Sequence, residues 1–264
     1  MRLIALCCAL AIRLSAQVLA SGAPAGDVPA SNVAKADAVL KGARAALGPK
    51  LSSVQSLTLW GADRRGPQAS EMALTIDLSG KYLKEQSTLG SGGQIERIGG
   101  DGAVAGGMPG DDGGPGLSLS LIEGFDGADY WTRNGSGSGK TLFIANFIRC
   151  TLALTLSPPA GFPIAFTYGG QLESPAGAVE ALEGKGPGNF EVHLYLDART
   201  HLPVTMVYHE IGEEFQLWLK DYKAEDGIRF PHTMAWLADG YPVEQFQIHH
   251  FKVNPKLRPE KFRR

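Results

Sequence analysis

Between Gln55 and Val253 the apolar positions of this chain recur mostly at every second residue. Met72, Leu74, Ile76 and Leu78 alternate with Ala73, Thr75 and Asp77. Phe190, Val192, Leu194 and Leu196 alternate with Glu191, His193, Tyr195 and Asp197, and Phe215, Leu217 and Leu219 with Gln216, Trp218 and Lys220. A period of two belongs to strands with one buried face, the usual form in antiparallel sheets. Ser79-Gly80, Asp226-Gly227 and Asp239-Gly240 are turn pairs suited to hairpins between such strands. About a dozen strands fit this rhythm, and hairpins without crossover helices rule against a doubly wound parallel fold.

Two segments keep a helical period instead. Val33, Ala36, Val39, Leu40, Ala43 and Leu47 recur at helical spacing, Ser31 or Asn32 is placed to cap the helix, and Gly48-Pro49 stops it. Residues 140–156 (KTLFIANFIRCTLALTL) are apolar around almost the whole circumference and end at Pro158-Pro159. A helix of that kind has to be covered on more than one side. Two buried strands are the competing reading of this segment. Residues 106–116 (GGMPGDDGGPG) hold six glycines and two prolines and read as a loop without packing content.

The N-terminus reads as an export signal. Arg2 supplies a positive start, Leu3 to Ile12 is an unbroken apolar run, and Val18-Leu19-Ala20 offers small residues for cleavage. The run is far short of the roughly 20 residues that span a bilayer, so a retained anchor is the weaker alternative. Removal of residues 1–20 leaves 23 basic and 27 acidic residues, a net charge of −4. Nucleic acid or an anionic membrane surface would need a clustered positive face, which this balance does not suggest. Cys150 is then the remaining thiol, so no intrachain disulfide is expected, and its apolar surroundings favour a buried, unreactive group. Residues 21–33 are small and rich in Pro and Gly, a flexible lead-in.

Candidate chemistry is thin. Asn134-Gly-Ser-Gly-Ser-Gly-Lys140-Thr141 approaches a phosphate-binding loop, but the pattern needs glycine where Asn134 stands, so no nucleotide is expected. The six histidines lack the spacing of a zinc site, and adjacent His249 and His250 should point to opposite faces of a strand. There is no Gly-x-Ser-x-Gly elbow, and no nucleophile or acid/base pair emerges from the spacing. The expectation is therefore no catalytic residue, no metal and no cofactor. Trp218 faces away from Leu217 and Leu219, so that strand is apolar or amphipathic on both sides; either extra covering elements or a ligand cavity would account for it.

Three strings in the second half carry a resemblance: Phe166-Thr-Tyr-Gly-Gly-Gln-Leu-Glu173, Leu194-Tyr-Leu-Asp-Ala-Arg-Thr-His-Leu-Pro203 and Val253-Asn-Pro-Lys-Leu-Arg-Pro-Glu-Lys-Phe262. With the opening helix ending in Ala46-Leu47-Gly48, they resemble the periplasmic lipoprotein-carrier superfamily, the LolA/LolB-like or outer-membrane lipoprotein-sorting proteins. The resemblance implies a mainly β fold, a large antiparallel sheet curled into a half-open barrel with the N-terminal helix and the apolar helix on its concave face. After the signal peptide over 1–20 and the lead-in over 21–33, it implies a single half-barrel domain over 34–264. The implied function is non-catalytic: a periplasmic carrier or sensor for a lipid or lipoprotein acyl chain, served by membrane-bound donor or acceptor proteins. Candidate lining residues are Leu57, Leu74, Ile76, Phe143, Phe147, Tyr208, Trp218 and Trp236, and Arg149, the charge within the apolar helix, is the candidate lid lock. A β-rich interaction or scaffold domain, its concave face filled by its own helix, is the alternative. A roomy apolar cavity would favour the carrier, and a solid interior the scaffold.

Overall fold

The structure is a computed structural model that describes residues 30–88, 121–174, 177–210 and 212–264. The export signal, most of the lead-in and the glycine-rich segment 106–116 lie outside the described residues. The first element is a helix, α1 (Ala30–Leu47), which buries Ala36, Val39, Leu40, Ala43 and Leu47 as one stripe. Ser31 and Asn32 are inside it rather than capping it, and Val33 is exposed, because the buried stripe begins a turn later at Ala36. The expected stop holds. Gly48 has φ +133°, and a side chain there would meet the Gly227 carbonyl oxygen, so the helix end abuts a hairpin.

Five strands follow: β1 (Ser56–Arg65), β2 (Gln68–Asp77), β3 (Lys81–Thr88), β4 (Leu121–Phe125) and β5 (Tyr130–Arg133). The second helix, α2 (Lys140–Thr155), leads to seven more: β6 (Ala165–Ser174), β7 (Gly177–Lys185), β8 (Glu191–Asp197), β9 (Pro203–Glu210), β10 (Glu213–Glu225), β11 (Ile228–Ala238) and β12 (Tyr241–Val253). All twelve form one sheet in the order β5-β4-β3-β2-β1-β12-β11-β10-β9-β8-β7-β6. The sheet is two meanders joined where β1 pairs antiparallel with β12, and among the described residues it is not closed into a barrel. The three sequence-read turn pairs all connect neighbours; Asp226, Gly227, Asp239 and Gly240 have φ between +48° and +82°, which fits hairpin turns of the primed type.

Both helices pack on one face of the sheet, where Leu57, Leu59, Leu74, Ile76, Leu194, Leu196, Leu217, Leu219, Phe246 and Phe251 form a single core with them. The opposite face carries a smaller cluster of Val179, Ala181, Tyr195 and Val207. A bulge next to Trp60 and Gly61 breaks the alternation of β12: Ile248 and Phe251 face the core, while His249 and His250 are both exposed rather than divided between faces. His250 stacks on Trp60 at 5.6 Å.

The tail after β12 is structural. Asn254 has φ +49°; its Oδ1 accepts from the N–H groups of Gln55 and Ser56, and its Nδ2 donates to the Ser53 carbonyl. Further on, the Phe262 side chain is buried and its carbonyl accepts from Trp131 Nε1 at 2.7 Å. Asn254→Ala should therefore lower the unfolding free energy by about 1–3 kcal/mol, since two donors lose their acceptor and a β-carbon without a helpful side chain keeps a positive φ. A denaturant melt reads this directly.

Candidate functional site

The site grows from α2. Its buried residues include Phe143, Phe147, Ile148 and every position from Arg149 to Thr155, so no face of its second half meets water. Such a sequence is a poor surface helix and a good inner one. Phe147 stacks on Tyr82 at 4.5 Å and meets the tilted ring of Phe143 at 4.8 Å, and Phe143 meets Tyr130 at 5.2 Å. Thr151 and Thr155 keep their hydroxyls satisfied inside the apolar layer by donating to the carbonyls of Phe147 and Thr151.

Polar contacts tie the helix at three levels. At its start, the buried Glu123 carboxylate accepts from Ser138 N, Ser138 Oγ and Tyr130 OH at 2.7–2.8 Å. The loop that imitates a phosphate-binding loop thus cradles an anion of its own. Burial works to raise the Glu123 pKa, but these hydrogen bonds and Lys84 outweigh it, and the net direction is down. Stability from Glu123 is accordingly present above the ordinary carboxylate range and lost as pH falls through the lowered value. Glu123→Gln should cost about 1–3 kcal/mol at neutral pH and much less in acid, as followed by denaturant melts across pH. In the middle, Arg149 is 7% exposed; its Nη1 donates to Asn146 Oδ1 at 3.1 Å and Glu210 Oε1 at 3.2 Å, and its guanidinium lies 3.8 Å from the Tyr208 ring centre. At the end, Leu156 has φ +54°, and its carbonyl accepts from Arg44 Nε at 3.1 Å and Nη2 at 2.6 Å, which links α2 to α1.

The structure brings Leu57, Leu74, Ile76, Phe143, Phe147 and Tyr208 into one core, with Trp236 packed against it. Trp218 does not join them. Leu217 lies opposite Trp236 in the β10–β11 ladder, so its neighbour Trp218 points out of the other face, where Lys220 sits over its ring at 4.5 Å and Gln216 accepts from its Nε1. The reason is the alternation itself: a strand that buries Leu217 and Leu219 cannot also turn Trp218 inward.

Sequence reasoning missed the polar end of the same inner face. Asp63 is 1% exposed and follows Leu57 and Leu59 at even spacing, so it shares their side of β1. Gln86 Nε2 donates to both Asp63 Oδ2 and Ser70 Oγ at 2.9 Å. Arg65 lies 2.9 Å from Glu244 and 3.6 Å from Asp63. Burial first, and the Glu244 carboxylate second, push the Asp63 pKa up to about 6, against the pull of Arg65 and Lys84. A period-two count that placed Leu57 and Leu59 inward would have carried Asp63 inward as well. That was the available signal.

Among the described residues, the two helices and the inner face of the sheet bury their apolar side chains in one cluster. An open groove of about 510 Å³ runs along Arg44, Ala45, Gly48, Pro49, Leu51, Ser52 and Ser157. A smaller cavity of about 120 Å³ lies beside Arg149, between Asn189–His193 and Tyr208–His209.

Neither a protein-family model nor a curated protein matches the sequence. Solved structures do match its shape. A domain from Vibrio parahaemolyticus named for outer membrane lipoprotein sorting shares 11% identity, covers 88% of this chain and 97% of its own, and superposes with a TM-score of 0.51. A LolA-superfamily protein from Nitrosomonas europaea shares 9% identity over 87% of this chain and 97% of its own, with a TM-score of 0.50. At these identities the likeness speaks for the fold, and the resemblance read in the three sequence strings extends to the whole sheet: the chain has the LolA-like fold, a curled, half-open antiparallel sheet with two helices on its inner face.

Proposed function

We propose that this chain is a non-catalytic periplasmic carrier or sensor, exported by the signal at residues 1–20, whose half-barrel takes a lipid or lipoprotein acyl chain when α2 moves aside. One observation carries the reading: a helix apolar on every side fills the inner face of a sheet that is left open. In this conformation α2 occupies the place of the ligand, and Leu57, Leu74, Ile76, Tyr208 and Trp236 are the walls that its departure would bare. Bare apolar walls in water are unfavourable at roughly 25 cal/mol per Å², so an acyl chain is the natural replacement. Membrane-bound donor and acceptor proteins would load and unload it.

The filled interior favours a second reading, a scaffold domain whose core is permanently closed. Titration with a fluorescent fatty acid separates the two. The carrier reading expects saturable binding that tightens in Glu210→Gln, because the lost Arg149–Glu210 pair weakens the seated helix. No saturable binding in either protein would leave the scaffold.

A further inference from the structure

We infer that Asp63 and Glu244 share one proton at the polar end of the inner face, and that losing it as pH rises loosens the second half of α2. The two residues stand on the paired strands β1 and β12. The Oδ2 of buried Asp63 accepts from Gln86 and lies 3.6 Å from Arg65 Nε, but its Oδ1 is buried with no donor among the described residues. The Glu244 carboxyl is its hydrogen-bond neighbour. Ionised carboxylates only accept, so two in contact repel unless a proton lies between them.

The local charges balance only with that proton. Three carboxyl groups, those of Asp63, Glu244 and Glu123, face two cations, Arg65 and Lys84. Hydrogen bonds favour the ionised form of Glu123, so one proton on the other two leaves the cluster neutral. Its loss leaves one negative charge in excess. Tyr208 and Cys150 also feel Glu244, but burial favours their neutral forms, and Arg149 is matched by Glu210. The raised pKa of Asp63, about 6, agrees with this balance.

The second half of α2 lies over the same end. Cys150 feels both Glu244 and Lys84, and it shares one buried cluster with Phe246, the residue opposite Asp63 in the β1–β12 ladder. An excess charge shut away from water is costly, so ionisation and opening favour one another. The proton therefore holds the helix seated: its contribution is full below 3.8, the ordinary value, and is lost as pH rises through about 6. The switch rests on the proposed movement of α2, whatever takes its place.

The test is hydrogen exchange of the ligand-free full protein by mass spectrometry at about pH 5 and pH 8, corrected for the intrinsic pH dependence of exchange. Amides in the second half of α2 should exchange sooner than those of β8. Their protection should fall about tenfold or more between the two pH values, and by less than about twofold in Asp63→Asn. Glu244→Gln, which also removes one carboxyl charge, should flatten the profile likewise and serves if Asp63→Asn does not fold. Early exchange of α2 with the same fall in both variants would overturn the proton switch and leave a mobile helix. Exchange of α2 only together with β8 would overturn it differently: the helix would then open only with the whole fold, and the carrier reading would fall too. No ligand is present, so acyl binding can produce neither result.

Discussion

Phe147→Ala lowers the unfolding free energy by about 3–5 kcal/mol, the usual cost of removing a buried phenyl group from a packed core. Phe147 is 4% exposed and lies between Tyr82, on which it stacks, and the tilted ring of Phe143, so its loss leaves a hole in the core. In a carrier the damage has a second effect. The closed state, with α2 seated, is the one that loses the phenyl contacts, whereas a state with α2 displaced by an acyl chain has already given them up. Acyl affinity should rise as stability falls. Denaturant melts and a fluorescent fatty-acid titration on the same preparations read both. A stability loss without any binding points to the permanent plug; no loss at all would mean that α2 is not packed as described.

Asp63→Asn acts in the opposite direction. Burial and the Glu244 carboxylate hold the Asp63 pKa near 6, above its ordinary 3.8. Between those values the folded chain binds more protons than the unfolded one, so stability is greatest in acid and declines as pH rises through about 6. A shift of that size corresponds to about 3 kcal/mol. Asparagine mimics the protonated acid: its oxygen still accepts from Gln86, and its NH2 can donate toward Glu244. Asp63→Asn should therefore be more stable than the parent by about 1–3 kcal/mol at pH 8, with the difference shrinking toward zero near pH 4. A variant weaker than the parent at pH 8 would show that the Arg65 pairing, not burial, dominates at Asp63.

Much of the fold was legible because antiparallel meanders are local. Each strand writes its buried face into its own alternation, and turn pairs such as Asp226-Gly227 mark its neighbour. The two helices were readable for the same reason. What failed depended on partners distant in sequence. Val33 fits the helical period yet is exposed, because α1 meets the core only from Ala36 onward. His249 and His250 escaped the alternation through a bulge that only the pairing with β1 reveals. Arg149 was visible as an odd charge, but nothing near it in sequence names Glu210 or Tyr208. Two of the family-like strings acquired a physical meaning. Asp197 Oδ1 gathers Arg199 N, Thr200 N and Thr200 Oγ1 into a tight turn, and Asn254 fastens the tail to the start of β1.

The proposed displacement of α2 by an acyl chain is open to a reporter already in the chain. Cys150 is 7% exposed within α2, and burial pushes its thiol pKa up to about 12, so in the closed state it should react very slowly with a thiol reagent. The measurement is the labelling rate of Cys150, read by peptide mapping, with and without saturating dodecanoate. If the ligand takes the place of α2, the rate should rise by about tenfold or more as the thiol reaches water. An unchanged or slower rate, while the fluorescent acyl probe shows the protein saturated, would contradict the account.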